Sequence, residues 1–166
     1  MKDEGKSLLL SSFILHPSSF TKMRRRLLLI LVQVSRFGLA ALFLFAAGAK
    51  LFTVRDFAAN LSNLVEANWV WPVACAVIAA ELAAAVLLIV PRTARLGALL
   101  SAALLLGFAA YALFYVYVQH GEPLECGCFG RLIGSQLGVS TALRNLALLV
   151  PCALVLFGRT KTVKVS

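Results

Sequence analysis

Two cysteines separated by a single glycine, Cys126-Gly127-Cys128, stand in the stretch EPLECGCFGR. Two thiols so placed can exchange a disulfide, hold a soft metal ion or form a structural bridge. Gly127 lets the backbone turn sharply enough for its neighbours to bond. A bridge across one residue is strained, and strained exposed disulfides are the exchangeable kind. A structural staple gains little here, because closing so small a loop removes little chain entropy. A zinc site needs four ligands, and only these thiols and His120 are near one another in the chain. Two-thiolate copper(I) binding stays open, with redox exchange the leading reading.

The other candidates are ionisable residues inside apolar surroundings, namely Arg36, Lys50, Glu81 and Arg144. Each is costly in a membrane and needs a reason. Arg36 and Lys50 are 14 positions apart, which returns to nearly the same helix face, with Phe43 between them. Counting inward from opposite ends of their segments puts Arg36 and Glu81 at similar depth, so these two are expected to pair. Two readings stand: a buried ion pair that sets helix register, with Lys50 and Arg144 snorkelling to the surface, or a Glu81 that relays a proton or contacts a quinone or substrate group. Cys75 lies one turn into its segment, at a depth a loop cysteine can reach, and is a candidate resolving thiol. It lies about 120° around the helix from Glu81. Cys152 reads as a small packing residue.

The elements that must position these residues are membrane spans. Of 166 residues, 61% are hydrophobic and 14% charged, with mean hydropathy +0.90, against roughly 25% charged in an ordinary soluble domain. Four apolar runs, Leu27 to Leu51, Val70 to Val90, Leu96 to Val118 and Leu137 to Phe157, approach the roughly 20 residues that cross a bilayer. The fold class is therefore all-α integral membrane, a four-helix antiparallel bundle in the lipid bilayer. The net charge of +9 does not point to nucleic acid, because the basic residues sit at span ends. Arg24, Arg25 and Arg26 precede span one, Arg92 and Arg95 fill the second loop, and Arg159, Lys161 and Lys164 follow span four. The first and third loops mix both signs, so the positive-inside rule puts both termini in the cytoplasm and the Cys126/Cys128 loop outside. Disulfides persist on that side. Trp69, Trp71, Tyr115 and Tyr117 fall where outer interface belts are expected.

Residues 1–22 are Ser-rich, with an apolar run too short to span, and read as a disordered tail or an over-extended gene start ahead of Met23. A leader running from Met23 to Ala49 is the weaker reading, since it would contain Arg36 and exceed the usual apolar length. The membrane domain then covers 23–158, followed by a basic cytoplasmic tail, 159–166. The loop PRTAR makes spans two and three a hairpin. Pro72 fits the first turn of span two, and Pro151 should kink span four by depriving the Ala147 carbonyl of its partner. Gly38, Gly48, Gly97 and Gly107 read as sites of close helix packing. The chain carries no phosphate-binding Gly-rich loop with its lysine and no nucleophile partnered by histidine, so its pattern does not point to nucleotide or hydrolase chemistry.

The segments RFGLAALFLFAAGAKL, AAELAAAVLL, CGCFG and LRNLALL resemble the MauE branch of the MauE/DoxX membrane proteins, over about residues 33–158. The resemblance implies a four-span protein of the bacterial inner (plasma) membrane, its cysteine loop on the periplasmic side. It implies a role in methylamine metabolism, maturing the disulfide-rich, quinone-bearing methylamine dehydrogenase small subunit beside a thioredoxin-like partner. The matching positions are Lys50, Glu81 and the run Cys126, Gly127, Cys128, Phe129, Gly130. The expected function is thiol-redox support of an extracytoplasmic client, as a thiol-disulfide oxidoreductase or its accessory, with a quinone near Glu81 as the candidate cofactor. The alternative is a non-enzymatic scaffold or a DoxX-like subunit of a quinone-linked oxidoreductase.

Overall fold

The computed structural model describes residues 17–118 and 139–158. Within them six helices follow one another: α1 (Pro17–Phe52), α2 (Val54–Leu61), α3 (Ala67–Ile89), α4 (Ala94–Tyr117), α5 (Val139–Ala147) and α6 (Leu149–Phe157). Met23–Phe52 of α1, then α3, α4 and the α5–α6 pair are long and apolar enough to cross a membrane, which makes four spans. Neighbouring spans form a ring in which α1 packs on α3 and α6, while α4 packs on α3, α5 and α6.

The α1 helix is continuous for 36 residues, about 54 Å of axis against a hydrocarbon layer of roughly 30 Å. It starts six residues ahead of Met23, so the expected 22/23 boundary is not a helix boundary. It ends where the Thr53 N–H and Oγ1 both donate to the Ala49 carbonyl, at 3.1 and 3.0 Å. The chain then folds into α2, an amphipathic helix whose Phe57, Ala58 and Leu61 are buried against Val70 and Ala74 of α3. Its alternation was hidden in the sequence by its short length, since eight residues give only two turns of periodicity. The Tyr111 hydroxyl donates to the Asn60 carbonyl at 3.0 Å and ties α2 to α4.

Proline and glycine act differently from place to place. Helix α3 starts at Ala67, so Pro72 lies in its second turn, not its first. There its absent N–H leaves the Asn68 carbonyl without the usual helical donor. Span four is interrupted at Leu148, between α5 and α6, where Pro151 removes the donor for Ala147 as expected. Only Gly97 of the four packing glycines marks a close approach. A Cβ there would meet the Leu88 backbone nitrogen at 2.7 Å, whereas Gly38, Gly48 and Gly107 have open space within 4 Å. Thr93 closes the α3–α4 turn by donating from Oγ1 to the Leu87 carbonyl at 3.1 Å.

The main core gathers Leu39, Phe43, Leu88, Ala98, Leu105 and Cys152, so Cys152 is the packing residue it was expected to be. Large apolar side chains cover the outside as well, among them Leu44, Val86, Leu99 and Leu106. A helix apolar all round suits a span that faces lipid on one side and protein on the other. Trp69, Trp71 and Tyr117 are exposed, but Tyr115 turns inward and is buried against Ala109, Ala112 and Ala142. Its place one turn beyond Tyr111 on the inner face removes it from the interface belt.

Candidate functional site

Lys50 sits in the last turn of α1 and Glu81 near the middle of α3, on the face that also buries Ala74, Ile78, Ala85 and Leu88. The Lys50 Nζ donates to Glu81 Oε1 at 2.6 Å, and both side chains are 0% exposed. That is the length of a charge-assisted hydrogen bond. Two aromatic rings flank the ammonium, Phe108 of α4 at 5.1 Å and Phe57 of α2 at 5.6 Å from ring centre. Both lie within the roughly 6 Å over which a ring face attracts a cation. The pair also borders a cavity of about 20 Å³, lined in addition by Phe43, Leu105, Phe108, Asn145 and Leu148. Glu81 Oε2 and Asn145 Nδ2 are buried there without a protein partner. The volume is that of about one water molecule, and two unpartnered polar atoms are what such a water requires. Five helices thus converge on one ion pair at the core of the bundle.

Arg36 belongs elsewhere. Its Nη2 donates to the Ile89 carbonyl at 2.7 Å and its Nη1 to Gln33 Oε1 at 3.3 Å, with its guanidinium 4.9 Å from the Phe37 ring centre. The expected pairing of Arg36 with Glu81 is therefore incorrect. Arg36 stands level with the end of α3, because α1 runs on past the α3–α4 turn and the two apolar stretches do not begin at one height. Lys50 takes the place that depth counting assigned to Arg36, and full burial removes the snorkelling reading of Lys50. The shared face of Arg36, Phe43 and Lys50 holds, since all three are buried.

The family model described as methylamine utilisation protein MauE matches residues 28–158. The chain belongs to the MauE family. Comparison with the curated proteins and with the solved structures finds no match for it. The matched range of this MauE chain takes in both members of the ion pair and nearly all of the four spans.

Other expected site residues of the MauE chain are scattered. Among the described residues Cys75 has no disulfide partner, and it is exposed on α3 next to the fully buried Ala74. Arg144 lies in the last turn of α5 beside the buried Asn145 and is half-buried. Cys126, Gly127, Cys128, Phe129 and Gly130 lie outside the described residues. The cavity at Glu81 is far smaller than the roughly 300–1,000 Å³ of ordinary ligand pockets. A quinone does not fit the cavity that the described residues leave beside Glu81. Sequence reading missed Phe57, Phe108 and Asn145. An amide in an apolar span was the available signal for Asn145, whereas nothing in local sequence separates Phe57 and Phe108 from other phenylalanines.

Proposed function

We propose that this membrane protein of methylamine utilisation type is a thiol-redox maturation factor, with Cys126 and Cys128 as its exchanging pair and the four-span bundle as its rigid mount. The reading is carried by the Cys126-Gly127-Cys128 run joining two spans of a MauE-family chain. The distribution of basic residues supports cytoplasmic termini and an outward cysteine loop, and membership of the MauE family supports a bacterial inner membrane with that loop in the periplasm. In exchange, a client thiolate attacks the Cys126–Cys128 disulfide and forms a mixed disulfide. A second client thiolate displaces it, so the client gains a disulfide and the pair leaves as two thiols. A thioredoxin-like partner in its disulfide form takes back the two electrons and two protons and restores the pair. Cys75 is the candidate resolving thiol, and the Lys50–Glu81 pair, with Arg36 and Arg144, holds the spans in register.

The test is thiol trapping on intact cells with a membrane-impermeant maleimide, followed by titration in defined thiol buffers. A reversible couple more oxidising than a structural disulfide, and loss of client maturation in the Cys126→Ser/Cys128→Ser variant, are expected. Maturation unchanged in that variant would leave the chain a scaffold and end the redox reading.

A further inference from the structure

The basic end of the bundle carries a second feature that the ion pair and the cysteine run leave unused. A cavity of about 280 Å³ opens there, lined by Arg36 of α1, Arg92 of the α3–α4 turn and Arg95 at the start of α4. Among the described residues, no acidic side chain lines it. Arg36 is 5% exposed, and its Nε is buried with no partner. Of the five donors a guanidinium carries, two are used, on Gln33 and Ile89. Arg92 and Arg95 are exposed. Thr93 leaves the α4 N-terminus without a side-chain cap, so the first-turn amides add their partial positive charge to the three guanidinium groups.

Val32 lines this cavity and also a neighbouring groove of about 860 Å³ between α1 and α6. The groove is apolar along its length, with Leu28 and Leu29 on one wall and Val150, Leu154 and Phe157 on the other, and Arg25 at its rim. Arg25 and Arg36 lie on either side of Val32, so positive charge borders the slot at both ends of its α1 wall, while its α6 wall, through Leu154 and Val150, leads inward from the arginines: anion beside the guanidinium groups, hydrocarbon along α6. Free phosphate would satisfy the arginines but has no use for the groove, and a zwitterionic lipid would fill the groove but bring its own ammonium up to the arginines.

We propose that this end of the bundle binds one anionic phospholipid, its phosphate held by Arg36, Arg92, Arg95 and the α4 N-terminus, and one acyl chain lying in the α1–α6 groove. Basic pockets between spans take anionic head groups in this way, and guanidinium suits the phosphate by its two-pronged geometry. The lipid fastens α1 to the α3–α4 turn and to α6, three elements that meet at this end.

The test uses the purified full-length chain in detergent, with added phosphatidylglycerol or phosphatidylcholine of identical acyl chains, and counts retained lipid by native mass spectrometry. Selective retention of phosphatidylglycerol is expected, falling at high salt. The variant Arg92→Gln/Arg95→Gln should lose about tenfold or more in retention, since each basic residue at an anionic lipid surface is worth roughly a fivefold change. Both arginines are exposed, and helix content by circular dichroism confirms that the variant folds. Val32→Trp, which fills the junction of cavity and groove, should lower retention with all arginines intact. Equal retention of the two lipids, or an unchanged double variant, would overturn the proposal. So would inorganic phosphate displacing the lipid at equal concentration, because that would make the site one for free phosphate.

Discussion

Removing Glu81 while leaving Lys50 in place tests the centre of the bundle. In Glu81→Leu the Lys50 ammonium, 0% exposed, loses the acceptor 2.6 Å from its Nζ. Breaking a buried pair in this way costs about 3–5 kcal/mol, because a buried charge loses its counter-ion. The Phe57 and Phe108 rings remain at 5.6 and 5.1 Å and return part of this, about 0.5–2 kcal/mol. A net loss of about 1–4.5 kcal/mol is expected. The double variant Lys50→Met/Glu81→Leu removes both charges and keeps comparable volume, and such replacements are often neutral or stabilising. It should therefore recover most of the loss. The assay is reversible unfolding of the four proteins of this cycle in mixed micelles, with the coupling energy read from the cycle. A single variant within about 0.5 kcal/mol of wild type, or a double variant as unstable as Glu81→Leu, would refute the view that the two charges act as one unit. Thermal stability restored in the double variant with client maturation still lost would give the pair a role beyond register.

Gly97→Ala should destabilise the α3–α4 hairpin by about 1–3 kcal/mol, since overpacking forces the backbone apart where a Cβ would meet the Leu88 nitrogen at 2.7 Å. Gly38→Ala, with nothing within 4 Å, should instead stabilise by about 0.5–1 kcal/mol through helix propensity, and parallel melting curves check both. Tyr111→Phe removes the hydroxyl that reaches the Asn60 carbonyl at 3.0 Å and should cost about 0.5–1.5 kcal/mol. Faster amide exchange confined to α2 would report it, and exchange unchanged there would mean that the hydroxyl does not hold α2.

The class of fold was legible because the bilayer leaves little choice: four apolar runs near span length can only be helices that satisfy their own backbones. The buried face of α1 was legible too, since helical period alone brings Arg36, Phe43 and Lys50 into line. The break near Pro151 followed from a missing N–H, which is a property of one residue. Pro72 failed as a marker because it depends on where α3 begins, and Ala67-Asn68-Trp69 extends the helix beyond the apolar run without any change of period. Helix α2 lay between spans with too few residues to declare itself.

Composition and period thus determined how many spans there are, which face of α1 turns inward and which residues would be costly to bury. Tertiary structure alone decided which cation meets Glu81. Arg36 and Lys50 share one stripe about 21 Å apart along the axis, and both are suitable partners by charge and reach. The choice rests on how far α1 slides along α3, and that offset comes from the packing of Phe43, Leu88 and their neighbours in the common core. No local pattern carries it, because a helix displaced along its own axis keeps the same sequence, the same period and the same buried face.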